Sequence, residues 1–179
     1  MLESDELVVL VDGEDREIGQ AKKFDAHRAG SRHRAVSVCV VDSRGRMLLQ
    51  RRAAAKYHSG GLWTNACCSH PRPGEGAAAA AARRLREELG IDCPLTFLKR
   101  THYRAAVGGD LTEDEVVHLF VGVHDGPVRP DAMEVSETRL LSQNALLDDV
   151  ATHPAAYTYW FKHYLDAFGD ALFKAAARA

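Results

Sequence analysis

Cys68 and His70 stand two residues apart in the stretch Leu62-Trp63-Thr64-Asn65-Ala66-Cys67-Cys68-Ser69-His70-Pro71. A thiol and an imidazole at that interval resemble half of a structural zinc site, but the sequence offers no second cysteine pair to complete one. Cys68 sits in polar company, whereas Cys39 among valines, and also Cys93, read as buried thiols. Nine histidines in 179 residues, several of them near carboxylates, make a composition suited to metal. Glu113 and Glu115 are two apart, so on a strand they point to one side, as shared coordination requires. Read singly, each of these is an ordinary polar residue. His27 and His33 suit a solvated basic loop, and the two glutamates suit an outward-facing strand start. Further on, Arg84 lies four before Glu88 and three before Glu87, a spacing that on a helix gives at least an ion-pair ladder. Tyr157, Trp160, Phe161 and Tyr164 recur at three- and four-residue spacing, the usual mark of a core-facing stripe.

The elements that must carry these residues are a mixture of strands and helices. Residues 7–11, 36–41, 47–51, 95–102 and 116–123 are rich in β-formers, and Asp42-Ser43-Arg44-Gly45 is a hairpin turn signal, so at least five strands are predicted. Residues 77–89 predict a helix that Gly90 ends, and 155–177 a second helical region interrupted near Gly169. A short helix over 144–150 is weakly marked. An early hairpin with the main helix between strands argues for an α/β layered fold, and residues 1–179 without an internal repeat or linker predict one domain.

Composition narrows the function classes. Hydrophobic residues at 46% and charged residues at 27% are near globular averages and exclude a disordered or fibrous chain. A net charge of −2 supplies no long-range field for nucleic acid or anionic membrane, so any bound anion must be held locally. No apolar run approaches the ~18 residues of a membrane helix, and the opening MLESDELVVL is acidic where a secretion signal is basic. A cytoplasmic protein with four reduced cysteines is expected, working as a monomer or weak dimer without nucleic-acid or membrane partners.

Glu75, Arg83, Leu85, Glu87, Glu88, Gly90 and Ile91 resemble the Nudix box, with two departures: Ser69 stands where the box has its first glycine, and Arg84 where it has its first helix glutamate. Preceded by W-T-N-x-x-C-x-H-P, this degenerate box is similar to type 1 isopentenyl diphosphate isomerases. The likeness extends through His27 and His33, Arg51-Arg52, Lys56, Tyr103-Arg104-Ala105, Glu113-Asp114-Glu115-Val116 and Trp160. It implies a Nudix-type layered α/β/α fold with a mixed sheet and a helix carrying the box.

The resemblance also implies roles. His27, His33, His70, Glu113 and Glu115 would hold one divalent metal, Mn²⁺, Mg²⁺ or Zn²⁺, and Glu88 a Mg²⁺ brought with the diphosphate. Five residues separate His27 from His33 where the family has six, and Gly30 in that loop can absorb the difference. Lys23, Arg52, Lys56 and Arg84 would bind the anionic substrate, an isoprenoid diphosphate. The implied reaction shifts a double bond, converting isopentenyl to dimethylallyl diphosphate through a tertiary carbocation. Cys68 and Glu115 would handle the protons, with Tyr103 assisting Glu115, and Trp160 would offer its π face to the cation. Two other readings compete: a Nudix diphosphohydrolase acting on a nucleoside diphosphate derivative, and a binding module that kept the fold and lost the chemistry. Arg84 inside the box disfavours the first. The intact set Cys68, His70, Glu113 and Glu115 disfavours the second.

Overall fold

A computed structural model describes residues 6–176. Nine strands form one mixed sheet: β1 (Leu7–Val11), β2 (Glu17–Lys22), β3 (His33–Val41), β4 (Arg46–Arg52), β5 (Trp63–Thr64), β6 (Cys67–Ser69), β7 (Leu95–Gly108), β8 (Leu111–Val123) and β9 (Val135–Ser142). Four helices accompany them: α1 (Lys23–Ala29), α2 (Ala77–Leu89), α3 (Gln143–Thr152) and α4 (Tyr159–Ala176).

The apolar run of β3 is explained by its position. It pairs in parallel with β8 from His33 opposite Glu115 to Val41 opposite Val123, and on its other edge in antiparallel with β6, where Ser37 faces Cys68. Both sheet faces are covered, so both sets of alternating side chains are buried. Ala35, Cys39 and Val41 join Val117, Leu119 and Val121 under Leu146 of α3 and Phe161, Tyr164 and Leu172 of α4. Val36, Val38 and Val40 join Phe120 under Ala80, Ala81, Leu85 and Leu89 of α2. The layered α/β/α arrangement follows from these two cores.

The predicted α2 is present, and Gly90 closes it in the left-handed region at φ 65°, its N–H bonded to the Arg86 carbonyl. The Asp42 turn also forms, with the Asp42 carboxylate accepting the N–H groups of Arg44 and Arg46. Other elements differ from expectation. β7 continues past 102 to Gly108 and β8 starts at Leu111, so the acidic segment around Glu113 lies inside a buried strand. The second helical region is interrupted before its helix and not at Gly169. A 3₁₀ turn at Pro154–Ala156 and extended Tyr157 precede α4, which runs continuously through Gly169. Gly169 costs a helix roughly 1 kcal/mol, which the packed apolar face of α4 outweighs. The backbone instead bends where Thr158 N–H bonds the Trp63 carbonyl at 3.0 Å. Residue 177, the predicted end, lies outside the described residues, as do residues 1–5 of the acidic opening. Strands β2, β5, β6 and β9 and helix α1 were not predicted. They are short or carry mixed polar sequence, and their partners on distant strands hold them in place.

α1 ends at Gly30 with φ 61°, and a Cβ there would lie 3.0 Å from Nη2 of Arg104 and 3.5 Å from Cβ of Thr112. The reversal at Gly30 brings the His27 and His33 rings to 4.8 Å despite the short interval between them. Gly30→Ala is therefore expected to lower stability by about 1–2 kcal/mol, because a left-handed conformation strains any residue with a Cβ. Urea unfolding of the two proteins side by side measures it.

Candidate active site

Three elements bring the imidazoles together. His27 comes from α1, His33 starts β3, and His70 follows β6. His27 and His33 are fully buried, and both rings lie near His70, at 5.6 and 4.9 Å between centroids. Nδ1 of His27 donates to the Lys23 carbonyl at 2.7 Å, and Nδ1 of His33 to the Ser31 carbonyl at 2.8 Å. A carbonyl only accepts, so both rings keep Nε2 as a lone pair. Nε2 of His33 is buried without a hydrogen-bond partner. Burial pushes His27 down to about 4 and His70 to about 3, so these rings are neutral near neutral pH.

The carboxylates complete the cluster. The register sets Glu115 opposite His33 on the neighbouring strand, and its Oε1 lies 2.9 Å from Nε2 of His70 and 3.4 Å from Nε2 of His33. Ligand atoms of His27, His33, His70 and Glu115 all lie within 4.8 Å of one another. A buried nitrogen with no acceptor or donor beside a carboxylate is what a metal centre requires, and this donor set fits a divalent cation. Glu113 joins through Tyr103, whose hydroxyl lies 2.7 Å from an oxygen of each glutamate. One hydroxyl proton serves one acceptor, so the second contact needs a proton from the other partner. Burial and the neighbouring Glu115 charge push Glu113 well above the usual range; burial would raise Glu115 too, but the hydrogen bond from His70 and the adjoining His33 ring hold it well below. The resulting order is Glu113 acid, Tyr103 hydroxyl, Glu115 carboxylate.

Cys67 and Cys68 are adjacent on β6 and therefore point to opposite faces. Cys67 packs in the α2 core, and Cys68 borders the other core and lines the cavity beside His70. Burial pushes the Cys68 thiol up to about 12, against a lowering hydrogen bond from Ser37. The same cavity is lined by Tyr103, Glu113, Glu115 and Trp160 and by Lys23, Arg52, Lys56, Arg84 and Glu88. Of the remaining site residues expected from the sequence, His27 and His33 are fully buried with their rings beside His70.

The basic side is tightly paired. Arg84 contacts Glu87 at 2.7 Å, Glu88 at 2.8 Å and Glu134 at 3.1 Å, and Lys56 contacts Glu134 at 2.7 Å. Nε of Arg52 and of Arg84 are buried without an acceptor. Arg52 also places its guanidinium 5.3 Å from the centre of the Trp160 ring. The sequence reading missed Glu134, Gln50 and His58. Gln50 donates to Glu88 at 3.0 Å, and His58 Nε2 lies 3.5 Å from Glu113, in a second group with His27 whose ligand atoms lie within 4.8 Å. His58 sits two residues after Lys56, and an imidazole so near that lysine was the available signal.

The NUDIX domain pattern matches residues 31–161. An isopentenyl-diphosphate Delta-isomerase of Burkholderia multivorans is 48% identical over 165 residues, covering 92% of this chain and 94% of its own. Isopentenyl-diphosphate Delta-isomerase 2 of Aromatoleum aromaticum is 50% identical over 161 residues, covering 89% of this chain and 84% of its own. The chain belongs to the isopentenyl-diphosphate Delta-isomerases of the NUDIX family. Solved structures agree in fold: DR0079 from Deinococcus radiodurans matches with a TM-score of 0.74 at 18% identity, covering 91% of this chain and 99% of its own. A MutT protein from Methanosarcina mazei matches with a TM-score of 0.64 at 17% identity, covering 78% of this chain and 94% of its own. Among isopentenyl-diphosphate Delta-isomerases, then, this one carries a His/Glu group able to bind a metal, and among its described residues no helix is long and apolar enough to cross a membrane.

Stripping metal with a chelator is expected to lower the thermal unfolding midpoint, and adding a divalent ion to restore it, because a ligand bound only by the folded state stabilises it. In His33→Ala, which removes the orphaned nitrogen, the added ion should restore little, and elemental analysis of the purified variant should find it depleted of metal.

Proposed function

We propose that the chain interconverts isopentenyl diphosphate and dimethylallyl diphosphate. The observation that carries this reading is the convergence on one cavity of a buried thiol, the Glu113–Tyr103–Glu115 proton chain and an aromatic ring, beside a cluster of cations. A 1,3-proton shift needs these parts. An isolated alkene is a very weak base, so a positioned acid must deliver one proton while a second group removes another, and the tertiary cation between must be kept from water.

Cys68 and Glu115 are the two proton-handling groups. They come from β6 and β8, the strands on either side of β3. Tyr103 bridges Glu115 to Glu113 and carries a proton between them as the substrate gives one up or takes one. Trp160, buried against the cavity, presents a ring quadrupole to the cation, which attracts positive charge without offering a nucleophile to trap it. His27, His33, His70, Glu113 and Glu115 would hold a divalent ion, Mn²⁺, Mg²⁺ or Zn²⁺, which would supply charge withdrawal from Glu115 and help orient it. Lys23, Arg52, Lys56 and Arg84 bind the diphosphate, the arginines by paired N–H groups and the lysines as point charges. Glu88 would hold the Mg²⁺ that accompanies it. Its Oε1 already accepts from Arg84 and from the Cys67 thiol and its Oε2 from Gln50, which leaves a second lone pair on Oε2.

The hydrolase reading is weaker because the carboxylates of the box are already neutralised. Glu75 takes two bonds from Arg83, and Glu87 and Glu88 are bridged by Arg84. The deciding assay incubates the metal-loaded protein with isopentenyl diphosphate. Dimethylallyl diphosphate should form without release of phosphate, and phosphate release would reverse the choice. Cys68→Ala should abolish turnover, whereas Cys67→Ala, facing the other core, should keep most of it.

The role of Trp160 separates by shape. A cation–π contribution falls in steps with ring size, while packing depends on volume. Trp160→Phe is expected to keep partial turnover and Trp160→Leu to lose about tenfold more, an effect of ~1–2 kcal/mol, in variants shown to be folded by circular dichroism. Equal activity in the two would reduce Trp160 to a packing residue.

A further inference from the structure

Thr64 and Asn65 are fully buried polar residues that the reaction above leaves without a task. Both lie next to it. The indole Nε1–H of Trp160 donates to the Thr64 hydroxyl at 2.8 Å, and the Thr158 hydroxyl donates to the same oxygen at 3.1 Å. With both lone pairs occupied, Thr64 turns its own proton to Oδ1 of Asn65, 3.1 Å away. The Asn65 amide cannot be reversed, because Nδ2 faces the carbonyls of Val38 at 2.8 Å and Cys67 at 3.1 Å, which only accept. Oδ1 must therefore face the thiol, and Cys68 Sγ donates to it at 3.2 Å. The two Nδ2 hydrogens are shared among these carbonyls and the Ser37 hydroxyl at 2.9 Å, and because the Cys68 proton is directed at Oδ1, the Ser37 hydroxyl donates to Cys68 Sγ at 3.0 Å.

We infer that Thr64 and Asn65 are positioning residues, forming a hydrogen-bonded rail that sets the Trp160 ring and the Cys68 thiol relative to each other. The inference rests on the assignment of Cys68 and Trp160 to the reaction proposed above. Only one orientation of the Asn65 amide suits the carbonyls at Nδ2 and the donors at Oδ1, so the ring edge and the S–H direction are set by one network. A cation formed between an aromatic face and a thiol requires that these two be held in a constant relation, and side-chain packing alone would leave the S–H free to rotate.

The test compares Thr64→Val, which keeps the volume and loses the hydroxyl, with Thr64→Ser, which keeps the hydroxyl and loses a methyl. Both are made in the full, metal-loaded chain and read by kcat and KM for isopentenyl diphosphate. They are also read by the infrared S–H stretch of Cys68, identified as the band absent from Cys68→Ala. Thr64→Val should lower kcat about tenfold with little change in KM and move the S–H band, while Thr64→Ser keeps kcat and the band near those of the parent. The inference is overturned if Thr64→Val leaves kcat or the band in place, or if Thr64→Ser is impaired as much, since packing then explains the residue. Should Thr64→Val not fold, Ser37→Ala removes the other hydroxyl at the thiol, and an unmoved band there overturns the inference equally. Full turnover by Cys68→Ala would instead show that the assignment of the thiol is wrong, whatever the rail does.

Discussion

Two carboxylates buried two residues apart on the same face of β8 are the constraint around which the molecule is built. Glu113 and Glu115 are 4% and 6% exposed, and like charges at that distance inside a protein cannot both ionise without a counter-charge. Each neighbour answers that requirement. Tyr103 from β7 ties the two together, and Nε2 of His70 and of His33 lie 2.9 and 3.4 Å from Glu115. His27 and His70 are themselves held neutral by burial, so the pair is not simply cancelled by cations on these two rings. What remains is a pocket of negative charge lined by nitrogen lone pairs, which is the electrostatic description of a site for a divalent cation.

The sheet turns that local demand into a fold. Parallel pairing of β3 with β8 sets His33 beside Glu115, and the antiparallel partner β6 on the other edge sets Cys68 beside Ser37. Because a strand alternates its faces, one residue of register decides which thiol reaches the cavity and which enters the α2 core. A buried sheet covered on both faces tolerates little slippage, and for that reason chemistry at its end can be positioned to within a hydrogen bond.

How much of this was readable beforehand differs by element. Strand β3 and helix α2 announced themselves because each has a strong local pattern, an unbroken apolar run and an alanine-rich period closed by Gly90. The segment Thr112-Glu113-Asp114-Glu115 lies before the predicted strand 116–123 and read at most as an outward-facing strand start, because three acidic residues in four look solvated. It is buried because groups remote in sequence, Tyr103, Arg32, His33 and His70, supply its partners. The residues the structure gathers at the cavity came from the resemblance, not from spacing, since His27, His70 and Glu115 are far apart along the chain. Glu134 and Gln50 carried no local signal at all. Each has meaning only through the partner it meets across the fold, Lys56 and Arg84 for one and Glu88 for the other.

The helix that carries the family box shows why a shared fold need not share a reaction. In an array of helix carboxylates kept free of cations, several acids act together to gather metal and activate water. Here Arg83 takes Glu75 and Glu87, and Arg84, standing where the box has an acid, takes Glu87, Glu88 and Glu134. A single substitution of that kind changes the local charge by two units and installs a cation in the lining of the cavity. The helix face then favours gripping a diphosphate over hydrolysing it, because positive charge stabilises the bound anion while the acids needed to deprotonate an attacking water are tied up. The acids that the proposed reaction uses lie elsewhere, on β8, beside imidazoles that come from outside the box helix. On that proposal, separating the anion-binding charge from the proton-handling charge would let the alkene end of a substrate meet Cys68 and Glu115 while its diphosphate stays among arginines and lysines, away from groups that would cut it.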